Sequence, residues 1–101
     1  MQVNEKTEGG VARLSLDGRF DFHSHRDFRS AYEAVLARAD VRDIVVDFTK
    51  VDYLDSSALG MLLLLREKAE ANGKRVRLAG LAGSVKQVLE IANFGKLFSI
   101  D

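Results

Sequence analysis

Hydrophobic and polar residues alternate along some segments of the chain and recur every three or four positions along others. Alternation over Val11–Leu16 predicts a strand that ends at Asp17-Gly18 and pairs as a hairpin, across Gly9-Gly10, with a shorter strand before it. Asp43–Phe48 contains an almost continuous β-branched run, which is typical of a central strand covered on both faces. The predicted strands are Val3–Lys6, Val11–Leu16, Asp43–Phe48, Arg75–Ala79 and Leu97–Ile100.

Three further segments have the spacing of helices. The first is expected to begin at Ser24, because Ser24 and Asp27 have the spacing of a capping box. The second follows Asp55 and ends near Asn72-Gly73, a typical helix stop. The apolar face of the first helix comprises Phe28, Ala31, Tyr32, Val35, Leu36 and Ala39, and that of a third comprises Val85, Val88, Leu89 and Ala92.

These elements follow one another in the order β-β-α-β-α-β-α-β. Strands that alternate with helices predict an α/β fold, with a mixed central sheet of four to five strands and three or more helices packed on it. The length of 101 residues fits one compact domain that spans residues 1–101. No proline and no low-complexity tract marks a boundary within it.

The composition narrows the classes of function. Fifteen basic and fifteen acidic residues are mixed along the chain, so no basic stripe of the kind that binds nucleic acid is present. A protein or small-ligand partner is therefore expected. The absence of cysteine excludes disulfides and cysteine-based metal sites. The longest apolar run, Met61–Leu65, is far shorter than a membrane span, and no signal peptide is recognisable, so a cytoplasmic location is expected.

Two adjacent serines stand directly ahead of this apolar run. Asp55 is a suitable N-cap for the second helix, which makes Ser56 its first residue and Ser57 the next. A phosphoryl group on Ser56 would meet the positive end of the helix dipole. Ordinary helix capping explains the same residues, so local sequence alone leaves both interpretations open.

The second helix carries more apolar residues than one buried face requires. At roughly 100° per residue, one stripe is expected to be buried, with Leu59 and Leu63 widening it: Ala58, Leu62, Leu65 and Ala69. A different stripe consists of Ser57, Met61, Leu64 and Lys68. Met61 and Leu64 in this second stripe predict an exposed apolar patch for a partner, unless a broad core absorbs them.

Several segments together resemble a known family. "RDIVVDFTKV" followed by "YLDSSALGMLLLL", with "LDGRFDFHS" before them and "VKQVLEIANFGKLFSI" at the end, is similar to the domain shared by sulfate transporters and anti-sigma-factor antagonists (STAS). The likeness covers nearly the whole chain and is closest to the stand-alone bacterial antagonists. Ala58 stands where the family more often has glycine, and Leu64 and Leu65 replace residues that are often small, polar or basic.

The resemblance implies a phosphorylation switch at Ser56 in a STAS-like single domain. In the family, the equivalent serine is phosphorylated by an anti-sigma factor that is also a serine kinase of the GHKL ATPase type. The unphosphorylated antagonist binds the kinase and releases its target, and a PP2C-type phosphatase removes the phosphate. The loop that contains Asp21 lies near the serine and touches the kinase. No cofactor is implied, and the residues expected to contact the partner are Asp21, Asp55, Ser57, Gly60, Met61, Leu64 and Lys68.

Two other classes of function were compared with this one. A serine hydrolase of the α/β type has the motif G-x-S-x-G, which the serine pair lacks. His23 and His25 are the only candidate bases, and nothing in the sequence brings them to Ser56. Those two histidines with Asp21 are better interpreted as a solvated loop than as a metal site. The remaining alternative is a soluble STAS subunit that regulates a membrane transporter of lipids or anions. The intact Asp55-Ser56-Ser57 favours the switch.

Overall fold

The computed structural model describes residues 1–101 as five strands and three helices, with two single-turn 3-10 helices. The order confirms the predicted α/β alternation. The strands are β1 Gln2–Glu8, β2 Val11–Phe20, β3 Asp43–Leu54, β4 Arg75–Ala79 and β5 Ser99–Ile100. The helices are α1 His25–Leu36, α2 Ser56–Ala71 and α3 Gly83–Ile91, and the 3-10 helices are Phe22–Ser24 and Phe94–Lys96.

All five strands form one sheet in the order β1-β2-β3-β4-β5. β1 pairs with β2 antiparallel, and the other three pairings are parallel. The predicted hairpin is confirmed, and its turn uses Gly9 and Gly10 at φ values of 59° and 80°, which glycine adopts without the steric cost that a side chain would add. Each parallel pairing is bridged by one helix in the chain, as the alternation predicted.

β2 and β3 are both longer than the sequence pattern predicted. Asp17-Gly18 does not end β2, which continues to Phe20, because irregular register near Gly18, at φ 110°, lets the strand continue. β3 likewise extends to Leu54 instead of ending at Phe48. The two extensions pair with each other beyond the end of β4, and they lead directly to the serine pair.

Asp47 organises the irregular register of β3. Its Oδ1 accepts hydrogen bonds from the Thr49 backbone nitrogen at 2.9 Å and from Thr49 Oγ1 at 2.6 Å. Its Oδ2 accepts from Arg13 of β2, with Nε at 3.0 Å. Burial raises the pKa of Asp47, but the hydrogen bonds from Thr49 and Arg13 outweigh it, so the pKa of this carboxyl lies below its usual range.

The core is a single apolar cluster between the sheet and the helices. Ile44 and Val46 of β3 are buried in this cluster. Val45 is also buried, but it lies on the opposite face, outside the cluster, where Arg13 of β2 is exposed, so the expected apolar cover on both faces of the strand is not confirmed. Tyr32 and Phe28 of α1 are buried in the cluster, whereas Ala39 lies beyond the end of the helix and is exposed, contrary to its predicted place on the apolar face. α3 packs against β3 and supplies Val85 and Leu89 to the same core, as predicted. The residues that β2 contributes to the core are Ala12, Leu14, Leu16 and Phe20.

Candidate functional site

Asp55 caps α2 as the sequence predicted. Its Oδ1 accepts a hydrogen bond from the Ala58 backbone nitrogen at 3.1 Å, which satisfies one of the free donors of the first turn. Ser56 is the first helical residue and is exposed, while Ser57 is half-buried. The serine hydroxyl that the resemblance singles out is therefore accessible at the amino end of a capped helix.

The outward face of α2 is rotated from the predicted one. The predicted buried stripe is confirmed, since Leu62 and its companions have no exposed surface. Leu63 is 40% exposed, so the expectation that it widens the buried face is wrong. Five exposed residues at helical spacing form what we call the outer stripe of α2, and they are Ser56, Gly60, Leu63, Leu64 and Glu67.

Met61 is the clearest correction. It is only 7% exposed and belongs to the core, so its placement in an exposed patch is wrong. The physical reason is α1, which packs against α2 and covers that flank. Lys68, from the same predicted stripe, is half-buried, with its Nζ 5.7 Å from the centroid of the Tyr32 ring. Leu64 remains exposed at 39%, so of the two apolar residues only Leu64 is available to a partner.

Tyr32 is a buried phenol beneath this flank. Burial raises its pKa, and the neighbouring Glu33 carboxylate raises it further, which outweighs the opposite effect of Arg29. The phenol therefore stays neutral at physiological pH and packs as an aromatic ring against Phe28, at a centroid distance of 5.3 Å.

Asp21 lies in a short turn that its own side chain holds closed. Asp21 Oδ1 accepts from the His23 backbone nitrogen at 2.9 Å, and the Asp21 nitrogen donates to Ser24 Oγ at 3.2 Å. Ser24 Oγ in turn donates to the Arg19 carbonyl at 2.8 Å, and Ser24 is buried. The predicted capping box of Ser24 with Asp27 is wrong, because the box forms one turn earlier between Asp21 and Ser24.

The sheet brings this turn next to the start of α2. Phe20 and Leu54 are paired residues at the ends of β2 and β3, and the Asp55 nitrogen donates to the Phe20 carbonyl at 3.3 Å. Asp21 and Asp55 therefore leave neighbouring ends of parallel strands, and the 3-10 helix Phe22–Ser24 contacts α2. The predicted proximity of the Asp21 loop to the serine-bearing helix is thus present in the fold.

Two carboxylates precede the serine within four positions of the chain. Asp55 precedes Ser56 directly, and Asp52 is exposed near the end of β3. Arg19, the cation nearby on β2, already lies 3.7 Å from Asp21 and 4.1 Å from the centroid of the Tyr53 ring. A phosphate on Ser56 would therefore place its negative charge directly after the carboxylate of Asp55.

Sequence reasoning missed one residue of this end. Phe22 is 70% exposed on the 3-10 helix beside α2, and its ring makes an edge contact with His23 at a centroid distance of 5.8 Å. The available signal was a large aromatic residue placed between polar residues in a segment with no helical or strand periodicity.

No helix of the fold is both long and apolar enough to cross a membrane.

Comparison with known proteins decides the family. Residues 3–99 match the family model described as "Mlab, STAS domain". The chain belongs to the STAS domain family. A STAS-domain containing protein of Pseudomonas aeruginosa is 46% identical over 93 residues, which cover 92% of this chain and 90% of that protein.

Solved STAS structures share the fold at low sequence identity. An anti-sigma factor antagonist from Mycobacterium paratuberculosis is 20% identical, with 98% of this chain and 83% of that chain covered and a TM-score of 0.87. The Bacillus cell fate determinant SpoIIAA in its phosphorylated form is 19% identical, with 98% and 90% covered and a TM-score of 0.74. Its unphosphorylated form also gives a TM-score of 0.74, at 20% identity and 98% and 86% coverage.

Proposed function

We propose that this STAS domain is a partner-switching regulator controlled by phosphorylation of Ser56. The unphosphorylated form binds an anti-sigma factor that is also a serine kinase, and thereby releases the target of that kinase. Phosphorylation of Ser56 blocks the binding. The observation that carries the proposal is the exposed hydroxyl of Ser56 at the first position of α2, beside the closed turn of Asp21.

The position of Ser56 makes its charge decisive for a partner. A phosphoryl group adds about −1.5 to −2 charges at pH 7. In an interface that covers Ser56, this charge would be desolvated next to Asp55, and unfavourable charge placement costs several kcal/mol. About 3 kcal/mol changes an affinity roughly a hundredfold, so one hydroxyl can decide between bound and free.

The switch needs no rearrangement of the fold. Asp55 already caps α2 by accepting a hydrogen bond from the Ala58 nitrogen. A phosphate on Ser56 would therefore compete with this carboxylate for the backbone N–H donors of the first turn.

Family membership supports the class of partner. The antagonist name of the Mycobacterium paratuberculosis protein and the phosphorylated form of SpoIIAA support a partner that phosphorylates this chain. We propose that this partner is a kinase of the GHKL type and that a PP2C-type phosphatase reverses its action. Residues proposed to contact the kinase are the outer stripe of α2 with Asp21, Asp55, Ser57 and the exposed edge of Lys68. Met61 is proposed to support this surface from below, because it is buried.

The experiment is phosphorylation of the purified chain by the GHKL-type serine kinase domains of the same organism, with the modified residue mapped by mass spectrometry. The phosphate is expected on Ser56, and Ser56→Ala should abolish it. Ser30→Ala is the matched control, since it removes an exposed serine hydroxyl on α1 outside the proposed surface, and it should leave phosphorylation intact. Modification mainly at Ser57, or by none of the kinases, would contradict the proposal. Stable co-purification with a membrane ATPase complex instead would point to the transporter-subunit alternative.

A further inference from the structure

Phe22 is a large apolar residue that lies on the surface and not in the core. Its ring is 70% exposed, whereas the other phenylalanines are buried in the core. An exposed phenylalanine gains nothing from solvent, so its surface is available to be covered by another molecule. The ring touches His23 along one edge, and this contact leaves most of it uncovered.

The backbone beneath this ring is held firmly. The hydrogen bonds between Asp21, His23 and Ser24 close the turn on both sides, and Ser24 Oγ fixes it to the Arg19 carbonyl of β2 at 2.8 Å. A side chain presented on such a base loses little backbone freedom when it binds. Aromatic residues held in this way are the type most often found to dominate the energy of a protein interface.

The ring also lies where it can join the outer stripe of α2. The 3-10 helix that carries Phe22 contacts α2, whose exposed leucines Leu63 and Leu64 follow Ser56 and Gly60 along the stripe. Beside the ring is a shallow hollow of about 600 Å³, lined by Phe22, His23, His25, Arg26 and Asp27. The hollow leaves this side of the ring open to a partner.

We infer that Phe22 is the aromatic anchor of the kinase interface, inserted into an apolar pocket of the anti-sigma factor/serine kinase. This inference rests on the proposed function. It adds a specific contact to the proposed interface: the partner binds the ring of Phe22, on the 3-10 helix that contacts α2, as well as the serine and Asp21. The apolar ring supplies contact area, while a phosphate on Ser56 would supply the charge that blocks binding.

The test measures affinity for the kinase domain that phosphorylates the wild-type chain. Phe22→Ala and Phe22→Gln should each weaken binding at least about tenfold, while Phe22→Leu, which keeps an apolar side chain, should weaken it less. Ile91→Ala is the matched control, because Ile91 is 83% exposed at the end of α3, outside the proposed surface, and it should bind as wild type does. Thermal midpoints should change little in all four variants, since each replaces an exposed side chain.

The outcomes separate the anchor from the switch. If the kinase modifies Ser56 and binds the wild-type chain, but Phe22→Ala or Phe22→Gln binds equally well, the anchor is wrong and the switch stands. If no kinase modifies Ser56, the proposed function fails and the anchor fails with it. If the wild-type chain is a dimer by sedimentation, and Phe22→Gln is a monomer with unchanged kinase affinity, then the ring is covered by a second copy and the inference is overturned.

Discussion

Asp55 caps α2 without using the hydroxyl of Ser56. Because the Asp55 side chain takes the Ala58 nitrogen, the cap is complete without the serine hydroxyl, which is left free to be modified. The capping and the switching interpretations of Asp55-Ser56-Ser57 are therefore compatible. Asp55 caps the helix, and Ser56 is exposed to the proposed phosphorylation.

Gly60 allows stability and partner binding to be tested in opposite directions. It lies inside α2, is exposed, and a Cβ added there would have no neighbour within 4 Å. Gly60→Ala should therefore raise the free energy of unfolding by about 0.5–1 kcal/mol, because alanine is the better helix former. If the kinase packs on the outer stripe, the added methyl should also weaken its binding, and urea denaturation with calorimetric titration measures both effects.

Gly95→Ala is the control for this prediction. Gly95 likewise has open space around it and lies in the second 3-10 helix, outside the proposed surface. Its replacement should leave kinase affinity unchanged. An affinity of Gly60→Ala equal to that of wild type would remove Gly60 from the interface, even if the gain in stability is found.

Individual residues of α2 were predictable only in part. Helical spacing correctly assigned Leu62 to the core, because the most apolar stripe of a helix faces the sheet. The same spacing misplaced Met61 and Leu63, because it does not say which flank a neighbouring helix covers. α1 buries the Met61 side and leaves the Leu63 side open, and that is a property of tertiary packing.

At the scale of elements, the long third strand positions the site. β3 runs through the irregular register at Asp47 and continues to Leu54, so that Asp55 is reached beyond the end of β4. The carboxylate of Asp47 holds this part of the strand by accepting hydrogen bonds from Thr49 and from Arg13 of β2. A strand that ended at Phe48, as the sequence pattern predicted, would not have carried the serines to this edge.

Asp47 should make stability depend on pH in acid. Its pKa in the folded chain is lowered, so its carboxylate stabilises the fold above the unfolded pKa of about 3.9. This stabilisation is lost as pH falls through the lower pKa of the folded state. Wild type should therefore be more stable than Asp47→Asn at pH 7, and the gap should narrow below about pH 4 when urea denaturation is followed across the series.

Asp40 provides the comparison. A hydrogen bond from Arg38 also lowers the pKa of Asp40, but this carboxylate is exposed to solvent. Added salt should remove most of the effect of Asp40→Asn, while that of Asp47→Asn persists, since exposed charges are screened and partly buried ones much less. A stability gap for Asp47→Asn that stays constant from pH 7 to pH 3 would contradict the assigned role.

Elements as such were predicted better than their ends. Gly18 was interpreted as a strand end, although irregular register lets β2 pass through it to Phe20. Ser24 was correctly placed at the start of α1, but for a box with Asp27 that does not form. In both cases the residue gave a local signal, but its outcome depended on another residue. β2 continues past Gly18 because it pairs with β3, and Ser24 forms its box with Asp21, one turn earlier.

At the scale of the whole molecule, the alternation of strands and helices was enough to predict the α/β fold. That pattern is distributed along all 101 residues, so errors at single boundaries do not change it. The proximity of Asp21 to the start of α2 was supplied by the family resemblance, and the pairing of β2 with β3 is its physical cause. Phe22 was missed because exposure cannot be inferred from one aromatic residue in an aperiodic segment.

Ser56, the site of the proposed switch, lies on the surface of the fold. The core is one continuous cluster that does not include Ser56, and the closed turn and the capped helix are each complete on their own. Phosphorylation is therefore expected to act on what binds at this end and to leave the packing beneath it unchanged.

The most direct measurement is calorimetric titration of the kinase with the chain before and after stoichiometric phosphorylation of Ser56. The unphosphorylated chain should bind, and the phosphorylated chain should bind about a hundredfold more weakly, while Ser56→Ala exposed to the same kinase and ATP should bind like the unphosphorylated chain. Both forms should unfold at closely similar temperatures. Equal affinity of the phosphorylated and unphosphorylated chains for the kinase would contradict the account.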